Sequence, residues 1–203
     1  MSLDATDSQP KDVRERVRES RLGTLLVLAV TAAVVMFGAY MVGHSDPAKG
    51  GVSAVSVGAG KGPAPKVGTA AQDFTATTTD GKKVSLSSYK GQPVWLTFGA
   101  SWCAECQAEA PDIQAAYEKA KADGAVVLAV SISEDSATAL EYANRIGLTY
   151  PQIADPDTRI ASAYRVNAIP AHFFIDKAGI LRSARTGGLS PDNMAAALKE
   201  ISK

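Results

Sequence analysis

The chain has 203 residues, 46% of them hydrophobic, with 21 basic and 21 acidic side chains that balance to a formal charge of zero. That supply of apolar residues is enough for a real core, and the even balance excludes a nucleic-acid binder, which needs a concentrated basic footprint. Two cysteines are too few for a disulfide scaffold, and alone they cannot complete a four-ligand structural zinc site.

The first element is a stretch at 22–42, "LGTLLVLAVTAAVVMFGAYMV", that carries no charge. As a helix it would reach about 31 Å, the thickness of a bilayer's hydrocarbon layer. It lacks the polar face of a core helix. It is also longer than a signal-peptide apolar region, and "YMVGHSD" offers no small-residue cleavage site, so an uncleaved transmembrane anchor is expected. Lys11, Arg14, Arg16, Arg18 and Arg21 precede it, whereas Lys49 and Lys61 alone follow closely. The excess of basic residues keeps segment 1–21 in the cytoplasm and places everything after Val42 outside, in a compartment where disulfides persist. Residues 43–66, rich in Gly, Ala, Ser, Pro and Lys, read as a flexible linker with a reach of about 25–30 Å.

From residue 67 to 203 the signals are those of one compact α/β domain. Two β-prone runs flank Asp80-Gly81, a hairpin dipeptide. "PVWLTFGA" (93–100) is an apolar run suited to a buried strand and leads straight into "SWCAEC" (101–106). Ala, Glu, Gln and Lys then dominate to about residue 122, a helical composition in which Pro111 should produce a kink. Residues 125–133 form another β-branched run. A helix is expected over 136–147, stopped by Gly147, and a short one over 157–166. Residues 171–186 hold two strands around a turn at Asp176–Gly179. The last helix has Ser190 as N-cap and Pro191 at its first position. Strands alternating with helices, then a hairpin and a helix, predict a mixed sheet covered on both faces.

"WLTFGASWCAECQAEAP", the later "AIPAHFFIDKAGI" and the C-terminal helix together resemble the thioredoxin fold. More narrowly, they resemble the membrane-anchored TlpA/ResA-type thiol–disulfide oxidoreductases of the outer face of the bacterial cytoplasmic membrane. The resemblance covers about residues 67–203 and includes the strand–helix insert of that subfamily, here near 125–153. It implies a redox-active Cys103–Cys106 disulfide, a cis bond at Ile169-Pro170, and no cofactor, since the electrons reside on sulfur. It further implies partners that are protein disulfides or dithiols, a membrane electron donor of the DsbD/CcdA type, and service in cytochrome c maturation or in reducing metal-site cysteines.

The spacing has its own physical sense. A cysteine at a helix start faces unpaired N–H groups and a partial positive charge, which favour the nucleophilic thiolate. Cys103 is therefore assigned as the attacking thiol and Cys106, three positions on, as the resolving one. A permanent staple would close so short a loop that it removes little chain entropy. Glu105 stands where the family usually has proline. An acid so near Cys103 opposes its thiolate, which predicts a more strongly reducing pair.

Thioredoxins proper carry an aspartate six residues before the first cysteine, where this chain has Thr97. The TlpA/ResA-type proteins instead place a glutamate three residues after the second cysteine, which is Glu109 here. Withdrawn from water, it could accept a proton from Cys106. The resemblance also puts the Ile169 backbone beside the cysteines to pair with an extended substrate, and gives Trp102 either a shielding role or a place in the core. The main rival is an extracytoplasmic copper carrier using both thiolates and His172, although relatives of that kind space their cysteines by three residues. A peroxidase is the weaker rival, because "FGASWC" lacks the expected Pro/Thr signature.

Overall fold

A computed structural model describes residues 21–43, 56–57 and 64–203. The basic segment 1–20 and most of the linker expected over 43–66 lie outside the described residues. The chain divides into two units, residues 1–49 and 50–203.

In the first unit, helix α1 spans Arg21–Gly43. Its window Gly23–Tyr40 has a mean hydropathy of 2.0, and none of it is buried in the structure. Leu25, Val34, Val35 and Phe37 each expose about two thirds of their surface. A helix that is apolar all round and unburied is long enough and apolar enough to cross a membrane.

The second unit is built on a five-stranded sheet with the order β6 (Gln152–Asp155), β5 (Val126–Ile132), β4 (Val94–Gly99), β7 (Ala171–Ile175) and β8 (Leu181–Thr186). Strand β1 (Ser56–Val57), inside the expected linker, pairs antiparallel with β2 (Phe74–Thr77), which pairs with β3 (Lys83–Ser85). A 3-10 turn follows at Leu86–Tyr89. Next come β4 (Val94–Gly99), α2 (Ala104–Ala120), β5 (Val126–Ile132), α3 (Ser136–Ile146) and β6 (Gln152–Asp155). The chain closes with α4 (Arg159–Ala163), β7 (Ala171–Ile175), β8 (Leu181–Thr186) and α5 (Pro191–Ile201). Strands β4, β5 and β6 run parallel, and β7 and β8 join antiparallel to them. This is the thioredoxin-like mixed sheet with helices on both faces.

Side chains alternate across the strands, so β4 divides its residues between two cores. Val94, Leu96 and Phe98 join Leu128, Val130, Ile153, Phe173 and Ile175 in one cluster, closed by Ile160 and Tyr164. Trp95 joins Val127, Phe174 and Tyr150 in the other, under Ile113 of α2 and Met194, Leu198 and Ile201 of α5. The edges of the sheet are covered too. Ala70 bridges to Ile180 beside β8, and Thr78 bridges to Ile153 of β6, which protects edge backbone that would otherwise invite pairing.

Helix ends follow the expected chemistry. Asp135 caps α3 through Thr138 N (2.8 Å), and Gly147 closes it with φ of 75°, a conformation that favours glycine. Ser190 accepts from Asn193 N (3.4 Å), with Pro191 opening α5. Pro111 lies inside α2, which continues through it to Ala120. Strand β6 departs from expectation: "QIAD" is short and half polar, and it becomes a strand because β5 offers it a parallel edge.

Candidate active site

Strand β4 ends at Gly99, and the chain turns through Ala100–Trp102 into α2. Cys103 is the N-cap of α2, in extended backbone conformation, and Cys106 lies one turn on. The two are joined as a disulfide with Cα atoms 5.2 Å apart. Cys106 is buried and Cys103 is half-buried. Cys106 N donates to Cys103 Sγ (3.2 Å), so a first-turn N–H of α2 points at the outer sulfur, where an anion is favoured.

The turn before the cysteines is fastened from below by a residue that sequence reading missed. Glu134, only 6% exposed, accepts from Ser101 N with both oxygens (3.1 and 3.0 Å) and from the hydroxyls of Ser101 and Ser131. A carboxylate so far out of water needs such donors. Ser101 O in turn accepts from Gln107 Nε2. The one available signal was an acid immediately after the β5 run, and Asp135, the helix cap beside it, carries the same signal.

Glu109 lies on α2 one turn beyond Cys106 and is 5% exposed. Its Oε1 accepts from Leu189 N (3.1 Å) and lies 3.3 Å from His172 Nε2. That second contact lacks the alignment of a full hydrogen bond, and Oε2 has no partner among the described residues. Glu109, Cys106, Pro170, Thr97, Tyr142 and Tyr150 all line one cavity of about 50 Å³ beneath the disulfide. Burial raises both tyrosine hydroxyls above their ordinary range, so each stays protonated and neutral.

Glu105, by contrast, is exposed yet not free in solvent. Its Oε1 accepts from Gly188 N (2.8 Å), and a Cβ at Gly188 would stand 3.1 Å from that oxygen. Glu105 and Glu109 of α2 therefore grip successive amides of the β8–α5 connection, which draws Glu105 towards that loop.

The Ile169–Pro170 bond is cis. Pro170 is buried and lines the same cavity as Cys106, while Ile169 is half-buried against the apolar cluster. Trp102 is 61% exposed, which removes the core alternative and leaves it standing in solvent beside Cys103. The core tryptophan is Trp95. His172 is fully buried, with Nδ1 near Trp95 Nε1 (3.3 Å) and Thr97 Oγ1 (3.1 Å) and Nε2 near Glu109. His172 is thus enclosed in the core, with Nδ1 engaged by Trp95 and Thr97 and Nε2 directed at Glu109. Among the described residues no group of three or more His, Cys, Asp or Glu side chains could hold a metal ion.

Comparison with known proteins agrees with this geometry. The AhpC/TSA family model matches residues 67–184. The thiol–disulfide oxidoreductase ResA of Geobacillus kaustophilus is 34% identical over 135 residues, spanning 66% of this chain and 78% of that protein. ResA of Bacillus subtilis is 26% identical over 170 residues, or 84% and 85% of the two chains. A solved thiol:disulfide interchange protein of the thioredoxin family from Chlorobium tepidum superposes with a TM-score of 0.62 at 25% identity, covering 69% of this chain and all of its own. With a CxxC disulfide at the head of α2 and a cis-proline bordering it, the chain belongs to the AhpC/TSA family and, within it, to the ResA-like thiol–disulfide oxidoreductases.

Proposed function

We propose that this protein is a membrane-anchored reductant of protein disulfides outside the cytoplasm, held by α1 with its N-terminus inside. The observation that carries the reading is the asymmetry of the cysteine pair. Cys103 is half-buried at the helix N-terminus with a backbone N–H on its sulfur, whereas Cys106 is buried above a cavity that holds a carboxyl group.

The chemistry follows from that asymmetry. In the reduced protein the Cys103 thiolate attacks a client disulfide, forming a mixed disulfide and releasing one client thiolate. Cys106 then gives its proton to Glu109, and its sulfur attacks Cys103. The Cys103–Cys106 bond forms as the bond to the client breaks, and the client leaves with both electrons as a second thiolate. The Ile169 backbone, beside the cis-proline, offers an edge to an extended client segment, with Trp102 flanking the approach. A membrane donor of the DsbD/CcdA type would return two electrons to the pair. Clients in cytochrome c maturation, or metal-site cysteines kept reduced, suit such a reductant. The ResA names of the relatives and the outward topology expected from the basic flank support this reading.

The test is the full chain carrying Cys106→Ser, expressed in a bacterial membrane and quenched with acid. Mixed disulfides through Cys103 with extracytoplasmic proteins are expected, and they would identify the clients. An absence of adducts, or adducts only with cytoplasmic proteins, would overturn the reading.

A further inference from the structure

His172 takes no part in the exchange steps above, yet it is wholly buried and faces the one carboxyl group they use. Its protonation can be read from its neighbours. The Trp95 indole nitrogen is a donor only, and it lies 3.3 Å from His172 Nδ1. Nδ1 must therefore accept and carries no proton. Thr97 Oγ1, 3.1 Å from the same nitrogen, can donate to it as well. A neutral imidazole with Nδ1 bare holds its proton on Nε2. That nitrogen points towards Glu109 Oε1 at 3.3 Å and has no other partner among the described residues.

The two oxygens of Glu109 are consequently unlike. Oε1 receives the Leu189 N–H at 3.1 Å and faces the His172 Nε2–H. Oε2 is buried without a partner, on a side chain that shares its cavity with Cys106. An oxygen facing two N–H groups is a poor place for a proton, because the new O–H would displace or oppose them. An oxygen with none is open to one.

We infer that His172 is a positioning residue that reserves Glu109 Oε2 as the atom that takes the Cys106 proton. This rests on the reading that Glu109 accepts that proton. In the resolving step the Cys106 S–H bond breaks and an Oε2–H bond forms. The freed sulfur electron pair makes the bond to Cys103, and the client sulfur departs with the pair from the broken disulfide. His172 neither gains nor loses a proton. Its Nε2–H faces Oε1, and Trp95 and Thr97 hold the tautomer, so the device is a chain from β4 through β7 to α2. The other titratable groups that face Glu109 are Cys106 on its own helix and Tyr142 and Tyr150 across the cavity. Burial keeps those tyrosines protonated.

Two measurements on the full chain in detergent micelles test this. Nitrogen-15 NMR of the imidazoles, with the His172 signal assigned by its loss in His172→Gln, should show the Nε2–H tautomer at neutral pH. An Nδ1–H tautomer or an imidazolium there would overturn the inference, whatever the variants do. The second measurement is the rate of the resolving step against pH, followed with a chromogenic model disulfide. His172→Phe should slow the step by about 2- to 10-fold, the worth of an ordinary hydrogen bond, since the Nε2–Oε1 approach is imperfectly aligned. It should also move the rise of the rate to higher pH, since the ionised carboxylate has lost a donor. His172→Gln, which returns an amide N–H near the position of Nε2, should recover most of the rate. A wild-type profile in His172→Phe beside an altered one in Glu109→Gln would sink the role of His172 and leave that of Glu109 standing. An unaltered profile in Glu109→Gln would remove both.

Discussion

The two faces of the five-stranded sheet are built by different rules. On one, Leu96, Phe98, Leu128, Val130, Ile153 and Phe173 make a continuous apolar core. On the other, the apolar cluster around Trp95 and Phe174 is interrupted by buried Thr97, Ser131, Gln152 and His172, with Glu109 brought down from α2. Buried polar groups reduce stability unless they are partnered. Several here are only partly partnered, and Glu109 Oε2 and Tyr142 Oη have no partner among the described residues. The disulfide sits over this second face. One face holds the sheet together, while the other gives up some packing to place buried polar and titratable groups beneath two sulfurs.

Substitutions can break or sharpen that contrast. The largest effect is expected on the apolar face. Leu96→Ala should lower stability by about 2–5 kcal/mol, measured by denaturant unfolding, and leave the pH profile of disulfide exchange unmoved where the variant is folded. A changed profile would mean that the faces are not separate in function. A middle effect belongs to the turn that carries the cysteines. Glu134→Ala leaves Ser101 N without its acceptor, which should lower stability by about 1–3 kcal/mol. It should also slow the attack by Cys103, read as alkylation rate of the reduced protein. Alkylation at the wild-type rate would make Glu134 a purely structural fastening.

The smallest effect lies off both faces, in the hairpin between β2 and β3. Asp80 is bonded to Lys82 (2.8 Å) and to the Thr78 hydroxyl. These contacts, with Lys82 the larger influence, lower its pKa from 3.8 to about 2. A depressed carboxyl stabilises the fold above its unfolded pKa, and that contribution is lost as pH falls from about 4 through about 2. Asp80→Asn should abolish that segment of the acid dependence, read as unfolding midpoints at pH 5 and pH 2. The pair is exposed, so the change should be small. A large one would tie the hairpin to the main sheet more tightly than its contacts indicate.

Much of this molecule was legible before any fold was seen, and the reasons are local. A cysteine pair after an apolar strand and before a helical composition depends on adjacent residues alone. So do the cap at Ser190, the stop at Gly147 and the apolar length of α1. The cis bond at Ile169–Pro170 was legible through family likeness, since composition says little about it. The strand β6 was hidden because "QIAD" pairs only where β5 presents an edge. Trp102 kept both a shielding and a core alternative until the fold left it in solvent.

By itself, the sequence determined which chemistry was possible: two sulfurs at a helix start, in a chain with one stretch able to cross a bilayer. Only the tertiary structure decided which polar groups gather around those sulfurs. It brought His172 to Trp95 across 77 positions, tied Leu189 to Glu109 across 80, and fixed Ser101 on Glu134 across 33. Hydrogen bonds of that kind depend on distance and direction in space, and neither is written in the order of residues along the chain.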